Sequence, residues 1–176
     1  MIITYHGENY FKLQAGNTTV LINPTNLRSF RGADLVLESE RMDKPNPVEG
    51  DFLAVDSPGE YEVKGVRVSG FNIPEEAQKT IYRLEIDEMR VGIFGNLKND
   101  LGPKILENFF RVDVLIAPPL SKTVKQIEPS LFVMAPEKNL KNFLKDLGRD
   151  KCETEEKIVV KKKDLKPKGI VVRCLK

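Results

Sequence analysis

Histidine is all but missing from this chain: His6 is the only one among 176 residues, and tryptophan does not occur. A centre built from several imidazoles is thereby excluded, although catalytic zinc sites draw two or three ligands from histidine in their commonest forms. Cysteine is scarce as well. Cys152 and Cys174 match no metal or redox spacing and read as buried or idle thiols, which neither staple nor catalyse. No apolar run approaches the roughly 20 residues that a membrane span needs. Met1-Ile2-Ile3-Thr4-Tyr5 lacks the charged start and cleavage site of a signal peptide, so the expectation is a cytoplasmic protein without membrane attachment. A large excess of either charge is missing too. The formal net charge is +2, a weak footprint for a nucleic-acid binder. Lysines crowd the C-terminal third at Lys157, Lys161, Lys162, Lys163, Lys166 and Lys168, without interleaved aromatics for base stacking. A solvated face is the simpler reading of them.

What is present is the composition of a globular domain, 40% hydrophobic and 31% charged, and residues 1–176 read as one domain able to bury roughly two-thirds of its unfolded surface. Short strand patterns dominate: Met1–Thr4, a hairpin of Tyr10–Gln14 and Thr18–Ile22, then Leu35–Leu37, Asp51–Val55, two strands around Lys64-Gly65, and a hairpin of Thr80–Ile86 and Arg90–Phe94. Gly102-Pro103 opens a helix with Ile105, Leu106 and Phe109 on one side. Val112–Pro119 and Leu131–Met134 are buried strands, separated by a short helix that Ser121 to Thr123 can cap. Lys138 to Leu147 places Leu140, Phe143, Leu144 and Leu147 at helical spacing, with Gly148 as the stop. Lys157–Val160 and Gly169–Leu175 close the pattern as strands.

The stretch on which function turns follows Leu35-Val36-Leu37. Pro45 and Pro47 forbid both an immediate helix and further ladder pairing, so residues 38–44 project from the strand's carboxyl end, where sheet proteins build sites. Here Ala33-Asp34-Leu35-Val36-Leu37 resembles the "ADLVL" that precedes an H-x-H-x-D-H ligand motif in metallo-β-lactamase-fold hydrolases, in particular the compact branch related to ascorbate-6-phosphate lactonase. Ile3 to Phe11 and Leu21-Ile22-Asn23-Pro24 match that branch's opening in register. Pro58-Gly59-Glu60-Tyr61-Glu62 matches its "PGEYE" segment, and the C-terminal strands match its closing pattern, which completes one of two packed sheets. The resemblance implies an αββα sandwich, an α/β fold of two packed mixed sheets with helices on the outer faces, in a minimal version.

The same alignment implies where metal ligands would stand. The family's histidines fall on Glu8, Glu40, Met42, Pro45 and, at the "VIPMHY" end, Glu137 or a neighbour; its aspartates fall on Asn23, Lys44 and Asn96. Proline has no donor atom, a thioether is soft and weak, and an ammonium repels a cation. Asn96 keeps an acceptor oxygen and loses the charge. No donor equivalent stands at Glu75-Glu76, and His6 lies one residue before the glycine where the family has an apolar residue. The expectation is a degenerate, metal-free member, non-catalytic, retained to bind a small ligand or a protein partner or to assemble as a homo-oligomer, with no cofactor. Two other readings stand beside it. In one, the glutamates rebuild a site whose oxygen donors suit Mg²⁺, Mn²⁺ or Ca²⁺ better than zinc, and a divergent hydrolase of lactones or phosphoesters results. In the other, the lysines serve a nucleic-acid accessory role. Within the first reading, Lys44 would supply the positive charge that the metal once supplied and pair with the aligned glutamates.

Overall fold

The structure is a computed structural model and describes residues 1–25, 32–40, 51–74, 76, 79–137, 140–165 and 169–176. Fourteen strands are found among them: β1 (Ile2–Tyr5), β2 (Phe11–Ala15), β3 (Thr18–Ile22), β4 (Leu35–Leu37), β5 (Leu53–Val55), β6 (Gly59–Val63), β7 (Val66–Asn72), β8 (Thr80–Ile86), β9 (Met89–Ile93), β10 (Val114–Ile116), β11 (Leu131–Met134), β12 (Glu153–Glu155), β13 (Lys157–Val159) and β14 (Val171–Leu175). Three short helices accompany them, α1 (Pro103–Leu106, continued by a 3₁₀ turn at Glu107–Phe109), α2 (Ser121–Ile127) and α3 (Lys141–Asp146).

The strands form two mixed sheets. One runs β13-β1-β2-β3-β4-β5, antiparallel as far as β3 and parallel from β3 to β5. The other runs β12-β14-β11-β10-β9-β8-β7-β6, parallel from β12 to β9 and antiparallel from there on. Alternation along each strand assigns side chains to layers. Leu35 and Leu37 face the other sheet with Ile3, Leu13, Val20 and Ile22, meeting Leu84, Val91, Ile93, Val114, Leu131 and Val133. Phe132 and Met134 point the opposite way, where Leu106, Phe109, Val124, Ile127, Phe143 and Leu144 of the helical layer cover them. On the outer face of the first sheet Tyr10, Leu21 and Val36 form a smaller buried group. Among the described residues, no helix is long and apolar enough to cross a membrane.

The hairpin between β6 and β7 turns at Lys64 and Gly65, with φ of +48° and +78°, and that between β8 and β9 at Asp87 and Glu88, +54° and +59°, the left-handed pairs that tight hairpins require. The Pro58–Glu62 segment gains a physical meaning: Gly59 has φ +151°, and a Cβ there would stand 3.0 Å from the Tyr61 hydroxyl. Tyr61 folds back and donates to the Ser57 carbonyl at 3.1 Å.

Four sequence expectations need correction. Ser121 does not cap α2; it lies inside the helix, whose N-cap is Leu120, and its hydroxyl donates to Asp146 at 2.8 Å. The helix expected over 138–147 is confined to Lys141–Asp146 among the described residues, since Lys138 and Asn139 lie outside them. The C-terminal strands do not complete a single sheet, because β13 joins the first and β12 and β14 the second; an edge strand as short as β12 carries too little pattern to be read. Finally, Cys152 and Cys174 are not idle thiols but joined by a disulfide, with Cα atoms 5.9 Å apart. Parallel pairing of Thr154 with Cys174 brings the two together across 22 residues, a proximity that spacing alone does not reveal.

Closing a loop of that length restricts the unfolded chain by about 3 kcal/mol. Reduction is expected to lower the urea midpoint correspondingly, and alkylation of the unfolded, unreduced protein should find no free thiol by mass.

Candidate functional site

The parallel strands of both sheets run in one sense within each sheet, and the loops at their carboxyl ends approach one another. Asn23 follows β3, Glu38-Ser39-Glu40 follows β4, Gly95-Asn96 comes after β9, Ala117-Pro118-Pro119 after β10, and Ala135-Pro136-Glu137 after β11. The loop Gly7-Glu8-Asn9 between β1 and β2 joins them; all three of its residues are left-handed, at +96°, +51° and +74°. A non-glycine residue held there is strained, and such strain gathers at sites.

Two contacts weld the sheets at this rim. The Thr80 amide donates to the Ser39 carbonyl at 2.9 Å, and Glu40 forms an antiparallel bridge with Lys79, so the end of β4 pairs with the approach to β8 across the sandwich. Buried Tyr82 donates from its hydroxyl to the carbonyls of Glu38 at 2.7 Å and Val55 at 3.2 Å. Burial pushes its phenol well above the ordinary value, so it remains a neutral donor. Gly95, at φ +57°, passes so close to Ser39 that a Cβ would lie 2.3 Å from the Ser39 hydroxyl. Only glycine fits here.

The positions aligned with ligands separate into three groups. Glu8, Asn96 and Glu137 line one cleft of about 230 Å³, walled also by Tyr5, Phe11 and Met134. Asn23 and Glu40 do not line it. Asn23, at φ +49°, turns its Oδ1 to accept from the Ser39 amide at 2.7 Å and so holds the β4 loop in place. Met42, Lys44 and Pro45, with the ion pairing expected of Lys44, lie outside the described residues.

A cation does stand at the rim, and it is Lys79. Its ammonium reaches Glu76 Oε2 at 2.7 Å, Glu40 Oε1 at 3.5 Å and the Asn96 carbonyl at 3.2 Å. The Lys79 side chain is 15% exposed and that of Glu76 only 9%. The other Glu76 oxygen accepts from the amides of Lys98 and Asn99 at 3.0 and 3.1 Å. Burial by itself would raise the Glu76 pKa, but the Lys79 ammonium and the two amides outweigh it and leave the carboxyl below its ordinary value. Sequence reasoning passed over this pair. The i, i+3 spacing of Glu76 and Lys79 was visible, but an acid and a base three apart are commonplace on surfaces, and only the bridge to Glu40 gives the pair its place. His6, the lone histidine, is exposed and stacks on Tyr10 with ring centroids 4.8 Å apart. Partial burial and Lys12 lower its pKa. Of the C-terminal lysines described, Lys157, Lys161, Lys162 and Lys163 are exposed, and Lys162 pairs with Asp113 at 2.7 Å.

Residues 2–134, three-quarters of the chain and every strand through β11, match the model of the beta-lactamase superfamily domain. The chain belongs to the beta-lactamase superfamily. Among proteins of curated function, none matches it by sequence. Its fold is similar to that of a metallo-beta-lactamase superfamily protein from Thermotoga maritima, provisionally assigned as a Zn-dependent hydrolase, with 22% identity, 99% of each chain covered and a TM-score of 0.80. It is also similar to Igni18, a metallo hydrolase of the archaeon Ignicoccus hospitalis (12% identity, 91% and 99% covered, TM-score 0.64). A third similar fold is that of an isothiocyanate hydrolase from Delia radicum gut bacteria (12% identity, 98% and 96% covered, TM-score 0.61). At such identities the likeness is one of fold.

Whether this superfamily member can hold the metal that the similar folds' names imply is a question of donor atoms. Zinc favours nitrogen and sulfur ligands in a tetrahedral set. The cleft presents two exposed carboxylates and an amide, and among the described residues no three His, Cys, Asp or Glu side chains are grouped to hold an ion. A protonated amine occupies the other half of the rim. The described donor set does not fit zinc.

Two substitutions probe this geometry. Lys79→Met is expected to cost about 2 kcal/mol at neutral pH, because a mostly buried carboxylate loses its charged partner. Glu76 has a folded pKa below its unfolded one, so its contribution is complete above the unfolded value and is lost as pH falls through the folded value. The gap between wild type and Lys79→Met should therefore narrow below about pH 4, as read by urea unfolding across that range. Gly95→Ala combines a left-handed backbone with a clash and should cost about 2–3 kcal/mol by the same assay.

Proposed function

We propose that this chain is a metal-independent, non-hydrolytic member of the superfamily that acts by binding, with the cleft of Glu8, Asn96 and Glu137 as its ligand or partner site. The observation that carries the reading is the Lys79 ammonium fixed between Glu76, Glu40 and the Asn96 carbonyl. It stands beside Glu40 and Asn96, two positions that the family resemblance aligns with ligands. An ammonium donates hydrogen bonds and has no lone pair to offer a metal. It answers the local carboxylates electrostatically, yet it cannot polarise a water as a dication does. Asn23 supports the same reading, since its side-chain oxygen is committed to the Ser39 amide.

A second reading, a divergent hydrolase of lactones or phosphoesters, draws on the fact that Glu8, Asn96 and Glu137 share one cleft. Oxygen donors suit Mg²⁺ or Mn²⁺ better than zinc. The names of the Ignicoccus metallo hydrolase and the isothiocyanate hydrolase lend it some weight.

Elemental mass spectrometry separates the two readings. After exposure to excess zinc, manganese and magnesium and removal of loosely bound ions, the binding-protein reading expects far less than one equivalent of any metal. One full equivalent of manganese or magnesium would overturn it and direct work to phosphoester and lactone substrates.

A further inference from the structure

The cleft that holds Glu8, Asn96 and Glu137 has a composition that selects a class of ligand. One wall is aromatic: Tyr5 and Phe11 stand with ring centroids 5.2 Å apart, tilted by 50°. Its floor is apolar, with fully buried Met134 beside the prolines that follow β10. At the rim stand two carboxylates, both exposed, and neither forms an ion pair with another described residue. Among the described residues, no lysine, arginine or histidine lines the cleft, although the chain as a whole carries more basic than acidic side chains. Lys79 touches the backbone carbonyl of the cleft residue Asn96 and is already matched by Glu76 and Glu40.

We propose that this cleft binds a small organic cation, an ammonium carried on a compact apolar body. The carboxylates disfavour an anion by like charge. An aromatic and apolar lining adds nothing to a hydrated dication, which keeps its water and seeks oxygen donors. It contributes to an organic ammonium twice over, through burial of the apolar body and through the attraction of a cation to an aromatic wall. Glu8 and Glu137 supply charge-assisted hydrogen bonds to the N–H donors, and the Asn96 side chain adds a neutral acceptor. The cleft admits a group the size of a single ring with one amine, and not an extended peptide. The assignment deepens the metal-independent binding reading and rests on it.

The test is titration of the ¹⁵N-labelled full chain with benzylammonium, a cation at neutral pH, and in parallel with benzyl alcohol, its neutral counterpart of similar shape. Saturable amide shifts are expected at Asn9, Gly95 and Asn96, with benzyl alcohol weaker by about tenfold. In the double variant Glu8→Gln/Glu137→Gln, benzylammonium should weaken by about tenfold, while the response to benzyl alcohol and the rest of the spectrum stay unchanged. Both residues are exposed, so the variant tests recognition without threatening the fold. Equal binding of the two probes, an unchanged double variant, or no saturable shift at the cleft would each overturn the proposal. A manganese titration on the same sample keeps the two readings apart. Stoichiometric manganese uptake overturns metal independence, whereas failure of benzylammonium without manganese uptake overturns the ammonium assignment alone.

Discussion

The close approach of Gly95 to Ser39 is the constraint on which the rim of this sandwich depends. Backbone from β9 lies against the end of β4 with no room for a methyl group, so two strands from different sheets finish at the same level. Everything that follows is arranged around that contact. The Thr80 amide closes on the Ser39 carbonyl, the Tyr82 hydroxyl reaches the Glu38 carbonyl, and the Glu40–Lys79 bridge continues the pairing outward. Such polar links inside a sandwich are stabilising only when every member is satisfied. Here the carbonyls left over at the end of β4 find donors in β8 and its approach, which adds directional links to the apolar packing between the sheets.

Lys79 sits at the outer end of that seam, where its ammonium meets the Glu76 and Glu40 carboxylates. A single ammonium contacts residues from three segments: the end of β4, the turn before β8 and the turn after β9. Cross-linking of several loops is what a bound metal would also do, although an ammonium does so through directional hydrogen bonds and with less charge. The neighbouring cleft then combines, among its described residues, two exposed carboxylates with an apolar floor.

The scaffold was legible in the sequence to a large degree because its signals are local. Alternation in Thr80–Ile86, the prolines after Leu37, and the glycine and lysine of the Lys64-Gly65 turn each act within a few residues of themselves. The family resemblance placed Glu8, Asn96 and Glu137 at ligand positions, and the fold does bring these three to one cleft. What could not be read depends on contacts between distant segments. Lys79 gains its role through Glu40 and Asn96, which lie 39 and 17 residues away in the chain. The cysteine pair is joined only because a three-residue edge strand lies alongside β14. The ion pairing expected of Lys44 lies outside the described residues, whereas Lys79, which the alignment did not single out, reaches Glu40 and Glu76.

The register between β1 and β13 has a consequence for how the chain acquires its structure. Ile2 pairs with Val159 and Thr4 with Lys157, so strands more than 150 residues apart close one edge of the first sheet, while β12 and β14 on either side of β13 add to the second. The chain thus threads back and forth between the layers in its final segment. Pairing across so long a stretch raises the contact order, and folds dominated by distant pairing are slow to form. During synthesis, β1 and the hairpin of β2 and β3 emerge with one edge open, and until β13 arrives that edge is free to pair with another chain. β13, made long after β1, therefore also serves as the cover that ends this exposure.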